Sequence, residues 1–348
     1  MYEQYYGIIE KPFQLTPDPK FFYASNKHKQ ALSYLEYGLE QGEGFIVITG
    51  PVGTGKTTIA QSLLRNIKHS NVEAIQIVTT SLSPEDLLLV IAKEFGLSIE
   101  TKLKSLLLQA IESHLIHLYE QGKRALLLVD EAQNLPLESI EELRMLSNFQ
   151  TNNKPLLQSF LLGQEELKTL IKNQSMEQFR QRIIASCHLQ PLNQQETENY
   201  IYHRLSLAGL DNKELFSKQS IGLIEQVSHG IPRKINMLLD RIMLYGYLNE
   251  LAIFEAADVQ AVIEEMADEL SSSIDSDEDA AITTPSKQTE KVFDLHYDEL
   301  YQSMQNMSDY LQENIDQKIK MNRYLDKLLS QKKKTLSILD EHDLDKLN

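Results

Sequence analysis

The run from Phe45 to Thr58, Phe-Ile-Val-Ile-Thr-Gly-Pro-Val-Gly-Thr-Gly-Lys-Thr-Thr, constrains this chain more than any other stretch. Its first five residues are mostly β-branched, lie between Gly44 and Gly50, and read as a buried strand. Gly50 to Thr57 fits G-x-x-x-x-G-K-[ST], and Ile59, Leu63, Leu64 and Ile67 start a helical period. Strand, glycine-rich turn and helix in that order make a phosphate-binding loop.

The residue types match the chemistry. Gly50, Gly53 and Gly55 let backbone N–H groups approach an anion and take positive φ, with Pro51, Val52 and Thr54 completing the loop. Lys56 brings a charge to the β- and γ-phosphates, and the Thr57 hydroxyl is placed to ligate Mg²⁺. The unpaired N–H groups of the helix that runs on through Thr58 add to the same anion site. The expected ligand is ATP with Mg²⁺.

A second feature supports this. Arg124-Ala-Leu-Leu-Leu-Val-Asp-Glu131 is a strand buried on both faces, with two carboxylates at its carboxyl end, where α/β sheets hold ligands. Asp130 is expected to hold the metal through its water shell, and Glu131 to orient and deprotonate the attacking water. Three further strands are expected at Ala74–Val78, Leu156–Leu162 and Ala185–Leu189. Gln164, at the tip of the fourth strand, reads as a γ-phosphate sensor or as a simple amide cap. Arg180 and Arg182, at i and i+2, do not share a helix face. One of them either reaches a neighbouring subunit's phosphates or forms a local salt bridge.

Ahead of the loop, Lys-Pro-Phe-Gln-Leu-Thr-Pro-Asp-Pro-Lys-Phe-Phe-Tyr carries three prolines and reads as an ordered, extended segment. Its aromatics, Phe13, Phe21, Phe22 and Tyr23, either form an adenine pocket or only cover the sheet edge. Ser25 caps a helix bearing Ala31, Leu32, Leu35 and Leu39. Helices are also expected from Ser83 to Phe95, from Ser105 to Gln121 and around Glu138–Phe149. His114 and His117 share a face of the second, a weak metal-binding pattern without a carboxylate or Cys in register.

From Pro191 the pattern becomes helical: Gln194–Ala208, Ser220–Ser228, Pro232–Tyr247 and Ala256–Ala267. Gly230-Ile-Pro-Arg-Lys-Ile-Asn236 breaks and restarts a helix, aiming Arg233 at the nucleotide from a helical lid.

The organisation expected is an N-terminal segment (1–44) on the nucleotide site, an α/β ATPase core (45–190) and a helical lid (191–267). A disordered acidic linker (268–290) and a helical tail (291–348) follow, the tail as a coiled coil or two shorter amphipathic helices.

Net charge is −16, and residues 264–279 hold eight acidic groups and no basic one. No excess of positive charge is available for a nucleic-acid backbone, which weighs against DNA as a partner. No apolar run approaches a membrane span, no signal peptide is legible, and one cysteine, Cys187, fits a reducing compartment. A cytoplasmic protein is expected.

Over its first ~265 residues the chain resembles the ExeA-like AAA+ ATPases, the family of general secretion pathway component A. The resemblance rests on Lys-Pro-Phe-x-Leu-Thr-Pro-Asp-Pro with Phe-Phe-Tyr, the phosphate loop, Leu-Val-Asp-Glu-Ala-Gln-Asn-Leu (128–135), Leu-Leu-Gly-Gln-x-Glu-Leu, Phe-Arg-Gln-Arg-Ile and Gly-Ile-Pro-Arg-Lys-Ile-Asn. It implies a five-stranded parallel sheet with a helical lid and ATP hydrolysis at subunit interfaces in a homo-oligomer. Gln164 would be sensor 1, Arg180 or Arg182 the finger, and Arg233 sensor 2.

Relatives serve type II secretion, type IV pilus assembly and exopolysaccharide loci, so the tail is expected to dock a membrane-associated envelope protein. That would make the protein peripheral to the inner membrane. Two departures from the secretion member are expected: no membrane span or periplasmic peptidoglycan-binding domain, and Gln164-Glu165-Glu166 where Gln-Pro-Glu is usual. The rival functions are a DNA-linked ATP switch like the transposition ATPases and an adaptor that binds ATP without turnover.

Overall fold

The computed structural model describes residues 2–16, 18–67, 71–78, 81–99, 101–211 and 214–274. The chain divides into one unit through Glu265 and a second from Met266 onward.

Five strands form the sheet of the first unit: β1 (Phe45–Thr49), β2 (Val72–Val78), β3 (Arg124–Asp130), β4 (Leu157–Gly163) and β5 (Ile183–His188). All pairings are parallel, in the order β2-β3-β4-β1-β5. The two-residue period explains the continuous apolar runs. Phe45, Val47, Leu127, Val129 and Leu161 enter one core, and Ile46, Ile48, Leu126, Leu128 and Phe160 the other. The edge strand β2 is half-buried, so its pattern is weaker, and it begins two residues before the expected start. β5, the other edge, is shifted two residues toward the N-terminus from its expected start.

Helices α1 (Tyr2–Tyr6), α2 (Asn26–Gln41) and α3 (Lys56–Ile67) come from the N-terminal part; α2 and α3 cover one face of the sheet. The other face is covered by α4 (Pro84–Glu94), α5 (Lys104–Glu120), α6 (Leu137–Leu146) and α7 (Glu165–Lys172), followed by the short α8 (Glu177–Arg180). The expected caps are present. Ser83 accepts from the Asp86 N–H, with Pro84 at the first turn, and Ser25 caps α2 through the His28 N–H.

The lid consists of α9 (Gln194–Leu207), α10 (Lys218–Ser228), α11 (Pro232–Leu248) and the start of α12 (Ala256–Ile274). A capping box of Asn193 and Glu196 opens α9. Where the lid joins the core, a Cβ on Gly230 would lie 1.9 Å from the Leu192 carbonyl, and the Leu192 N–H bonds the Gly230 carbonyl at 2.8 Å. Only glycine fits.

Three features differ from the sequence reading. α1 lacks the length and caps that announce a helix, and it is held by lid contacts instead: Tyr2 donates to Asp240 (2.6 Å) and Tyr6 to the Leu251 carbonyl (2.9 Å). A two-residue hairpin, Gln150–Thr151 with Lys154–Pro155, turns on Asn152 and Asn153, both at positive φ, as a type I′ turn demands. Third, α12 runs to Ile274, so residues 268–274 are helix and not linker. That stretch has no glycine or proline, and its acidic and serine residues do not break a helix already propagating. The remainder of the expected linker and the whole expected tail lie outside the described residues. Among the described residues, no helix is long and apolar enough to cross a membrane.

Candidate active site

The phosphate loop joins β1 to α3. Gly53 and Gly55 have φ of 81° and 92°, and a Cβ on Gly50 would stand 2.9 Å from the Leu189 carbonyl. Within the loop, buried Thr54 donates through Oγ1 to the Pro51 carbonyl at 2.8 Å. Lys56, 5% exposed, donates through Nζ to the Gly50 and Pro51 carbonyls at 2.8 and 3.0 Å. Burial pushes its ammonium below the usual range, against the opposing pull of Glu131, Asp130 and Glu166. A phosphate offers this buried ammonium charged oxygens in place of carbonyls.

β3 delivers Asp130, 2% exposed, beside the loop. Its Oδ2 accepts from Thr57 Oγ1 at 2.7 Å and its Oδ1 from the Glu131 N–H at 2.9 Å. Burial raises the carboxyl's pKa, and these two hydrogen bonds oppose the shift. A hydroxyl and a carboxylate oxygen in contact are the hard donor set that suits Mg²⁺. Glu131 sits in left-handed backbone, φ 53°, at the turn that leads from β3 into the 3-10 helix Ala132–Asn134. Its Oε2 accepts from Gln133 Nε2 at 2.7 Å and from Gln164 Nε2 at 3.2 Å. Gln164 therefore meets the carboxylate at the tip of β4.

A cavity of about 270 Å³ opens over the loop. Val52, Gly53, Gly55, Lys56, Thr57, Thr58 and Glu131 line its core side, and Pro232, Arg233 and Asn236 its lid side. The Arg233 N–H bonds the Gly53 carbonyl at 3.3 Å, and a Cβ on Gly53 would lie 2.7 Å from Arg233 Cβ. Arg233 thus stands directly on the loop. Neither Arg180 nor Arg182 lines this cavity, and among the described residues neither forms the alternative salt bridge. Arg180 Nη1 donates to the Ile171 and Asn173 carbonyls (2.8 and 2.6 Å), and Arg182 Nη1 to Ser147 Oγ (3.0 Å).

The N-terminal segment lines the cavity through Gln14, Leu15, Thr16 and Asp18. Its aromatics do other work. Phe13 and Phe21 are fully buried, Phe22 packs edge-on to His28, and Tyr23 packs against Tyr200 and His203 of α9. His114 meets Glu73 (3.1 Å) and His117 meets Gln121 (2.7 Å), so the two histidines have separate partners.

Several residues of the site escape sequence reasoning. His28, 3% exposed, reaches Thr54 O through Nε2 (2.9 Å) and Ser25 Oγ through Nδ1 (2.6 Å), tying α2 to the phosphate loop. Buried Arg204 donates to the Pro12 carbonyl and to Tyr200 Oη (3.1 Å), with its guanidinium 5.2 Å from the centre of Phe21. Tyr200 in turn donates to Asn236 Oδ1 (2.7 Å), whose Nδ2 donates to the Gln14 carbonyl (2.9 Å). Asn236 and Gln133 belong to legible motifs. Tyr200 and the Gln14 carbonyl, which Asn236 meets, and the Gln164 N–H, which Gln133 meets, lie far along the chain and left no local signal.

The strand order, the phosphate loop after β1, the carboxylates after β3 and a helical lid on the loop define a P-loop NTPase of the AAA type. Residues 39–171 match the AAA domain family. The chain is 40% identical over 248 residues to general secretion pathway protein A of Aeromonas hydrophila, a match covering 71% of this chain and 45% of that one. Over the matched residues it is similar to the ExeA-like AAA+ ATPases.

A second relative is the ATP-dependent target DNA activator B of Escherichia phage Mu, 29% identical over 144 residues (41% of this chain, 42% of that one). The chain thus spans about half the length of the curated relatives it matches. Among solved structures, Cdc6p of Pyrobaculum aerophilum superposes with a TM-score of 0.58 at 14% identity, covering 74% of this chain and 71% of that one. That likeness concerns the fold alone.

Proposed function

We propose that this protein binds Mg-ATP and hydrolyses it within a nucleotide-dependent homo-oligomer, driving assembly of a bacterial envelope system such as type II secretion, a type IV pilus or exopolysaccharide export. The observation that carries the reading is the convergence of Thr57, Asp130, Glu131 and Gln164 at the mouth of the phosphate loop. Similarity to general secretion pathway protein A supports the choice of system.

In this reading Lys56 and the loop N–H groups hold the triphosphate, and Thr57 and Asp130 hold the metal. A metal held there would supply positive charge against the phosphate oxygens. Glu131 takes a proton from water, Gln164 senses the γ-phosphate, and Arg233 reports it to the lid. Of the two candidate fingers we favour Arg182. Among the described residues its guanidinium holds one hydroxyl, beside a polar hollow of about 900 Å³ that Arg144 and Gln181 also line. Arg180 would have to give up two backbone carbonyls. The protein would act from the cytoplasmic side, held at the inner membrane by a partner that its tail engages.

Lys56→Ala is expected to abolish nucleotide binding, whereas Glu131→Gln retains ATP and stalls turnover, read by a labelled nucleotide and by phosphate release. Unchanged turnover in Glu131→Gln would sink the assignment. The match to the phage Mu activator favours a second reading, an ATP switch that works on DNA. Stimulation of turnover by duplex DNA would select it over the first.

A further inference from the structure

The Asp-Glu-Ala-Gln-Asn-Leu run carries the proposed metal and water residues in its first two positions. Its glutamine has an unexpected set of contacts. Gln133 Nε2 donates to Glu131 Oε2 at 2.7 Å, while Gln133 Oε1 accepts the Gln164 backbone N–H at 2.9 Å. Gln164 Nε2 closes the triangle on the same Glu131 oxygen at 3.2 Å. One amide thus bridges the end of β3 to the tip of β4.

The amide's orientation is dictated by its partners. A backbone N–H requires an oxygen opposite it, and a carboxylate requires a donor. Turning the amide over would set N–H against N–H and oxygen against carboxylate, so the alternative assignment is excluded chemically. The fold also makes room for it. A Cβ on Gly163, the last residue of β4, would lie 2.8 Å from Gln133 Oε1. A glycine next to the sensor thus lets the bridging amide in.

We propose that Gln133 is a positioning residue for ATP hydrolysis, holding the Glu131 carboxylate against the sensor strand while Gln164 engages the γ-phosphate. The inference rests on the reading of Glu131 as the general base. An unsupported glutamate samples several side-chain rotamers, and its neighbour Gln164 cannot serve phosphate and carboxylate equally well. When Gln164 turns its amide toward phosphate, Gln133 remains as a donor on Oε2. Through the Gln164 N–H it also stays coupled to the strand tip that the phosphate pulls on. Misplacing a reacting group by ~1 Å costs about 10²-fold in rate, the scale of effect expected here.

The experiment uses the full chain and measures steady-state ATP turnover, affinity for a fluorescent ADP analogue, and melting temperature. The variants are Gln133→Ala, the isosteric Gln133→Glu, Gly163→Ala and Glu131→Gln, with Gln133→Ala also made in the Glu131→Gln background. Gln133→Glu keeps the acceptor for Gln164 and replaces the donor to Glu131 by a like charge, so it separates the two halves of the bridge without changing shape. The expected result is a kcat loss of about 10²-fold in both Gln133 variants, with KM and analogue affinity unchanged. Gly163→Ala moves in the same direction. In the Glu131→Gln background, Gln133→Ala adds no further loss.

Wild-type turnover in Gln133→Glu, or an independent further loss in the Glu131→Gln background, would overturn the positioning role while leaving the base assignment intact. Wild-type turnover in Glu131→Gln alone would overturn both.

Discussion

His28 has Nε2 against the Thr54 carbonyl, which can only accept, so that nitrogen carries the proton and Nδ1 accepts from Ser25. Burial holds the ring's pKa below its usual value, and contact with the Thr54 carbonyl and the charge of Glu196 only partly offset this. The unfolded chain therefore takes up a proton at this site first, below about pH 6.5. The native state binds fewer protons there, so stability falls as pH falls through that range. Melting temperature followed from pH 7.5 to 5.5 is expected to drop less steeply in His28→Asn than in wild type, from a lower starting value. Parallel curves would remove the histidine from the account. Sequence reasoning missed His28 because its partner, Thr54, is 26 residues away and offers only a backbone oxygen. Lys56, Thr57, Asp130 and Glu131 were legible because phosphate and metal chemistry restrict residue type and local spacing together.

Among the elements, the central strands and the covering helices followed from period and caps, since residues buried on both faces leave unbroken apolar runs. The parts that did not follow are held by distant contacts. α1 is the clearest case: its Tyr2 and Tyr6 hydroxyls bond residues of the lid more than two hundred positions away. Each bond contributes about 1 kcal/mol, and more where the acceptor is a carboxylate. Tyr2→Phe is therefore expected to lower stability by roughly 1–2 kcal/mol in denaturant titration, with nucleotide affinity little changed. Gly230→Ala is expected to do far more, because its Cβ would overlap the Leu192 carbonyl at the root of the lid and its φ is 65°. A Gly230→Ala protein that melts with wild type would show that the lid root tolerates a different path.

Among the described residues, core, lid and N-terminal segment share the walls of the cavity over the phosphate loop, and Arg180 and Arg182 do not line it. A finger acting on phosphate would then have to act on another subunit's. Turnover per subunit is expected to rise with protein concentration, in step with mass measured by light scattering. Arg182→Ala should collapse that rise. Arg180→Ala should chiefly destabilise, since it frees the Ile171 and Asn173 carbonyls at the end of α7. Concentration-independent turnover from a monomer would remove the assembly step.

The route of the N-terminal segment also bears on how the chain is made. Ile9, Pro12, Gln14 and Phe22 bond lid residues between His203 and Asn236, and Tyr2 waits for Asp240. This segment thus leaves a ribosome well before its partners in the lid are synthesised. Contacts of such sequence separation form late, after the costly closure of the intervening chain. A nascent chain ending before α11 would carry a complete phosphate-loop sequence and still lack Pro232, Arg233 and Asn236 of the cavity wall. Protection by ATP against proteolysis would therefore arise abruptly, as the length of the growing chain passes α11, and not gradually.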